Sequence, residues 1–157
     1  GETDITGLSL DSRQSDRAIV SILKDFGADV KCGDIISVRG NGLRGIKIDI
    51  SQCPDLFPTL AATACAASGD TIFTNAARLR IKESDRIEAV GKMINSLGGL
   101  PGGEVDSFND HRIVMAAAVA ACICENPVII HDAQAVNKSY PNFFEDYRKL
   151  GGKADVI

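Results

Sequence analysis

Tryptophan is absent and aromatic residues make up only 5% of the chain, so Ala, Ile, Leu and Val must fill the interior. Histidine is almost as scarce. His111 and His131 are the only two, and neither has a Cys or a second His at ligand spacing, so no metal site is expected. The five cysteines, Cys32, Cys53, Cys65, Cys122 and Cys124, are odd in number and contain no CxxC. Lying mostly in apolar surroundings, they read as buried, reduced thiols of a cytoplasmic protein, not as a disulfide framework. Long apolar runs are missing too. The longest, Ile113 to Cys124, is twelve residues, too short to span a bilayer, and the first residues show no basic and apolar leader pattern, so a soluble chain with no membrane partner is expected. Seventeen basic against twenty-one acidic residues give a net charge of −4, which excludes a general nucleic-acid binder but leaves room for a local basic pocket.

What is present is core material. Apolar residues are 45% and charged residues 24% of 157, and a domain of that length buries roughly 70% of the surface its unfolded chain exposes. Gly1 to Leu10 reads as a short strand. Ile19, Ile22, Leu23 and Phe26 then recur at helical spacing behind a cap at Ser15 or Asp16, with Gly27 as the stop. Ala28 to Cys32 and Ile35 to Arg39 alternate about Gly33-Asp34 as a hairpin, and Ile46, Ile48 and Ile50 alternate in a third strand. Asp55 precedes a small-residue helix, Leu56 to Ser68, with Pro58 in its first turn. Thr71 to Thr74 is a short strand. The next helix carries Ile87, Val90, Ile94 and Leu97 on one face and closes at Gly98-Gly99; Ile113 to Cys124 is apolar all round and predicts a buried helix. Pro127 to His131 is a strand. Lys138 to Pro141 opens a helix with Phe143, Phe144, Tyr147 and Leu150 inward, and a last strand follows Gly151-Gly152. The fold class is α/β (α+β).

The chemistry gathers around Arg78 to Ile87, where a strand-like stretch turns into a helix carrying Lys82, Glu83, Asp85 and Arg86. Carboxylates suit a helix start; Lys82 and Arg86 do not, unless an anion binds there, because unpaired amides and basic side chains together make an oxyanion site. A solvated charged turn is the competing explanation. Arg112 again puts a positive charge at a helix start.

The chain also repeats itself. Ser15-Asp16-Arg17 matches Ser84-Asp85-Arg86, and Asp55 before one Ala-rich helix matches Asp110 before another. Asp16 to Asp55 is 39 positions but Asp85 to Asp110 only 25, a shortfall of 14. Leu100 to Val105 cannot hold the absent hairpin. Either the second unit is trimmed or residues of the protein are left out of the sequence.

Lys82-Glu83-Ser84-Asp85-Arg86, Asn109-Asp110-His111-Arg112 and Lys138-Ser139-Tyr140-Pro141, each heading a helix in a successive repeat, together resemble the 5-enolpyruvylshikimate-3-phosphate synthases. The resemblance covers Leu8 to Ile157. It implies the inverse α/β barrel of the enolpyruvyl transferases, two domains of three repeats, each with parallel helices backed by four-stranded sheets. In those terms residues 1–157 are part of a C-terminal domain, with repeats at about 8–75 and 76–133 and the start of a closing one at 134–157; the N-terminal domain is absent. The implied reaction moves the enolpyruvyl group of phosphoenolpyruvate to the 5-hydroxyl of shikimate 3-phosphate through a tetrahedral intermediate, with no cofactor. By resemblance, Asp55 contacts the shikimate hydroxyls and accepts a proton, and Glu83 handles the proton at the methylene carbon. Lys82 lies on the shikimate-phosphate side, while Arg86, Arg112 and Lys138 hold the carboxylate and phosphate of phosphoenolpyruvate. Arg78 stands where some relatives use Asn and is left out of the site.

The residues support that chemistry, since a polyanionic substrate needs fixed cations and proton transfer needs carboxylates beside them. Asp110 reads as a plain helix cap, His111 as a packed neighbour of Arg112, and Lys138 on its own as a surface lysine. Two alternatives are a UDP-N-acetylglucosamine enolpyruvyl transferase and a non-catalytic anion-binding fragment of the same fold. The chain alone, lacking the opposite wall of the cleft, is expected to be inactive.

Overall fold

A computed structural model describes residues 1–9, 11–98 and 101–157; the expectations that touch Leu10, Gly99 and Leu100 lie outside the described residues. The first strand, β1 (Glu2–Ile5), lies antiparallel to β3 (Ile36–Arg39), which also pairs antiparallel with β2 (Asp29–Cys32). The hairpin is as expected. Between them, α1 (Ile19–Phe26) buries Ile22 and Phe26 and stops at Gly27, whose φ of 102° suits glycine alone. No side chain caps α1. A 3-10 turn, Ser15–Ala18, leads into it instead, and the Asp16 carboxylate faces Arg112 at 3.9 Å.

Two βαβ units follow. The strand β4 (Lys47–Asp49) runs parallel to β5 (Ile72–Thr74) across α2 (Phe57–Ala64), and β6 (Gly103–Asp106) runs parallel to β7 (Val128–His131) across α4 (His111–Ala121). The described residues therefore form sheets of three, two and two strands, where the resemblance implied four-stranded ones. The third strand of the opening half leaves its hairpin and joins β5. β6 went unread because its four residues hold one apolar side chain, Val105, which is 1% exposed. The repeat shortfall has a definite place: Phe26 to Lys47 spans 21 positions, Ser96 to Gly103 only 7, and the difference of 14 falls where the first unit has its hairpin.

The core packs α2 against α4, with Leu60, Ala61 and Ala62 meeting Ile113, Ala116, Ala117 and Ala120, and with Phe26, Leu79, Val90 and Met93 around them. Small side chains let these helix backbones approach closely. The α2 helix is shorter than Leu56 to Ser68 and is entered through a 3-10 turn, Pro54–Leu56, that contains Asp55. Among the described residues no helix is long and apolar enough to cross a membrane.

Further expectations are corrected, among them the burial of the cysteines, since Cys32, Cys65 and Cys122 lie at exposed positions near the ends of their elements. The stretch before Lys82 is a 3-10 turn, Ala77–Ile81, because only Leu79 is buried while Ile81 stays 81% exposed, which breaks a strand's alternation. The helix α3 (Arg86–Ser96) then starts at Arg86, so Lys82 and Glu83 precede it and Asp85 caps it by accepting from the amides of Ile87 and Glu88. Similarly, Lys138 ends a 3-10 turn, Ala133–Lys138, and does not open α5 (Phe143–Lys149). Phe143 and Phe144 pack on Val114, Ala135 and Val136, but Leu150 is 74% exposed and Lys153 to Ile157 form no strand.

Candidate functional site

The starts of α2, α3 and α4 meet at one end of the core, and their charged side chains make one network. At its centre is Arg86, with no exposed surface. Its Nε donates to Asp110 Oδ2 at 2.9 Å, its Nη1 to Asp55 Oδ1 at 2.7 Å and its Nη2 to Glu83 Oε2 at 2.6 Å. A guanidinium presents its donors in a rigid fork, so one Arg can tie three elements together where Lys could not. Asp55 takes two more cations: Lys82 Nζ lies 2.9 Å from its Oδ1 and Arg112 Nη2 3.2 Å from its Oδ2. Arg112 Nη1 also donates to the Asp55 carbonyl oxygen at 3.0 Å. Asp55 caps nothing with its side chain; tertiary contacts claim it.

Asp110 does cap α4, accepting from the Arg112 amide at 2.9 Å. It does more than the sequence indicated, because its carboxylate is also the buried counter-ion of Arg86 and accepts from Ser84 Oγ at 3.0 Å. Ser84 was missed. Its signal was the repeated Ser-Asp-Arg string, whose other copy supplies Asp16. The chain reaches Asp110 through Phe108 and Asn109, both at positive φ, 52° and 53°. Such backbone is unfavourable for non-glycine residues and persists where neighbours fix it. Lys138 supplies one such tie, donating from Nζ to the Asn109 carbonyl oxygen at 2.5 Å. Thus Asp55, Lys82, Glu83, Arg86 and Arg112 come together directly, and Lys138 adjoins them through Asn109.

The electrostatics follow from these contacts. Burial alone would raise the Asp55 carboxyl, but Lys82, Arg112 and Arg86 outweigh it and hold the group below the usual carboxylate range. Asp110 is likewise pushed up by burial and pulled further down by Arg86, the Arg112 amide and Ser84. Burial lowers His111, against the pull of Asp110, so the ring favours its neutral form. Its Nδ1 has no hydrogen-bond partner and lies 4.0 Å from Asp110 Oδ1. Among the described residues no group of three or more His, Cys, Asp or Glu is placed to hold a metal ion.

The sequence matches the family model described as EPSP synthase (3-phosphoshikimate 1-carboxyvinyltransferase) over residues 1–147. The chain belongs to the EPSP synthase family. A 3-phosphoshikimate 1-carboxyvinyltransferase of Clostridium kluyveri is 46% identical over 166 residues, covering 95% of this chain and 39% of its own length. One from Pyrococcus abyssi is 43% identical, covering 96% of this chain and 40% of its own. The chain thus spans about two-fifths of these curated relatives. In the first case the aligned stretch of 166 exceeds the chain's own 157 residues, so the relative has residues there that this chain lacks. Among solved structures, EPSP synthase from Acinetobacter baumannii superposes with a TM-score of 0.82 at 27% identity, over 94% of this chain and 41% of that one. The α/β fold of the enolpyruvyl transferases is therefore this chain's fold.

Proposed function

We propose that this chain is part of a 3-phosphoshikimate 1-carboxyvinyltransferase and supplies one wall of its active site. The whole enzyme would transfer the enolpyruvyl group of phosphoenolpyruvate to the 5-hydroxyl of shikimate 3-phosphate and release phosphate, a step of aromatic amino acid biosynthesis in the cytoplasm. The observation that carries this reading is the convergence of Lys82, Arg86 and Arg112 on Asp55, with Glu83 alongside, within a chain of this family. Residues 1–157 would form part of the C-terminal domain, with repeats at about 8–75, 76–133 and 134–157, and the N-terminal domain would be the partner that completes the cleft.

The chemistry assigns each group a task. Asp55 accepts the proton of the attacking hydroxyl as its oxygen adds to C2 of phosphoenolpyruvate, while Glu83, having taken up a proton from solvent as it gives up Arg86, delivers that proton to C3. Collapse of the tetrahedral intermediate breaks the C2–O bond to phosphate, and Glu83 takes a proton back from C3. Lys82, Arg86, Arg112 and Lys138 hold the substrate oxyanions, and their fixed charge stabilises the one that builds up on leaving phosphate.

A hybrid tests the reading: this chain replaces the matching stretch of the Clostridium kluyveri relative, and phosphate release is followed. Release that needs both substrates and is lost with Arg112→Ala is expected. A folded hybrid without release would sink the assignment.

A further inference from the structure

Around the Arg86 guanidinium, three cations (Lys82, Arg86, Arg112) face three carboxylates (Asp55, Glu83, Asp110), with a fourth, Asp16, 3.9 Å from Arg112 at the edge, so the cluster has no excess positive charge. The carboxylates are not equivalent. Asp110 is wholly buried, caps α4 and accepts from Ser84, so it is fixed. The Asp55 side chain is 33% exposed and has both oxygens committed to cations, Oδ1 to Lys82 and Arg86 and Oδ2 to Arg112. It therefore stands between Arg86 and solvent and occupies the near side of Lys82 and Arg112, which are themselves 24% and 26% exposed, in the position an incoming oxyanion needs. Glu83, 44% exposed, covers Arg86 Nη2 in the same way.

We infer that Asp55 is the internal occupant of the anion position, a displaceable carboxylate that competes with a substrate oxyanion for Lys82, Arg86 and Arg112. The inference rests on the proposed reading of the site and adds an order of events. Cations already matched by carboxylates have no charge left over for a phosphate or carboxylate, so an oxyanion gains Lys82, Arg86 and Arg112 only as Asp55 gives them up. Once released, Asp55 loses the partners that suppress its basicity, and the proton acceptor becomes effective when substrate is in place. Arg86 stays anchored throughout, because Asp110 keeps its Nε. A dedicated pocket for a permanently held anion would instead leave all its cations without internal counter-ions, whereas here only Lys138 has a carbonyl oxygen rather than a carboxylate as its described partner.

Titration calorimetry of the 157-residue chain with inorganic sulfate, at constant ionic strength, tests this. Asp55→Asn keeps the side chain's size and is expected to tighten sulfate binding by about tenfold, the effect of removing one opposing charge at contact distance. Asp55→Ser should do the same, which guards against a folding defect in either variant. Asp16→Asn removes a charge 3.9 Å from Arg112 but frees neither Lys82 nor Arg86; it is expected to change little. Unchanged or weaker binding in both Asp55 variants, or an equal gain from Asp16→Asn, overturns the inference while leaving an anion site in place. Absence of sulfate binding in every variant, or a gain that survives Arg112→Ala, overturns it together with the reading of the site.

Discussion

The Nε of Arg86 donates to Oδ2 of Asp110 at 2.9 Å, and neither side chain has any exposed surface. This pair joins the start of α3 to the start of α4 and fixes the orientation from which Arg86 reaches Asp55 and Glu83.

Removing Asp110 leaves the buried Nε of Arg86 without its acceptor and α4 without its cap. Asp110→Ala is expected to lower unfolding free energy by about 3–5 kcal/mol, read by urea denaturation, and Arg86→Met with Asp110→Leu should cost less than the single change. A double variant weaker than Asp110→Ala would contradict the buried-pair account.

Acid should destabilise the chain in two stages. His111 sits below its ordinary value of 6.5 because burial disfavours the charged ring, so its contribution is complete above that pH and is lost as pH falls through the lowered value. Asp55 and Asp110 sit below 3.8, so their contribution is complete above that pH and disappears further into acid. Midpoints of unfolding measured against pH should show both stages, and His111→Gln should remove only the first.

Tyr147 is half-buried on α5, its hydroxyl donating to the Ala118 carbonyl oxygen at 3.1 Å and lying 3.3 Å from Cys122 Sγ. Burial and the neighbouring thiol push its hydroxyl up to about 12. Spectrophotometric titration should find one of the two tyrosines ionising near that pH, and Tyr147→Phe should remove the late step and cost about 1 kcal/mol of stability.

Gly45 passes against the backbone before β5, its amide donating to the Ser68 carbonyl oxygen at 2.7 Å. A Cβ there would fall on the Asp70 carbonyl oxygen. Gly45→Ala should therefore prise β4 from β5 and cost about 2 kcal/mol or more in thermal or urea unfolding.

Much of the architecture was legible where periodicity is long. Ile19 to Phe26 and Ile113 to Ala121 became helices as their patterns required, and Gly33-Asp34 turned a hairpin. The failures cluster at short elements. Ala77–Ile81 and Ala133–Lys138 are 3-10 turns that bury only Leu79 in the first and Ala135 and Val136 in the second, and one or two burials leave no readable period. β6 is visible only through its pairing with β7, which lies more than twenty residues further along the chain.

By itself, the sequence determined the family, the α/β class, the internal repeat with its shortfall of 14, and which ionisable residues stand at the helix starts, because these depend on residue order alone. Only the tertiary structure decided whom those charges face. Residue order alone makes Lys82, Arg86 and Arg112 cations for an external anion, yet in the fold they meet Asp55, which lies 27 to 57 positions earlier in the chain. Asp110 likewise proved to be the buried counter-ion of Arg86 as well as a cap. The reason is physical: a charge removed from water must find its partner within a few ångströms, and which groups come that close is set by how α2, α3 and α4 pack.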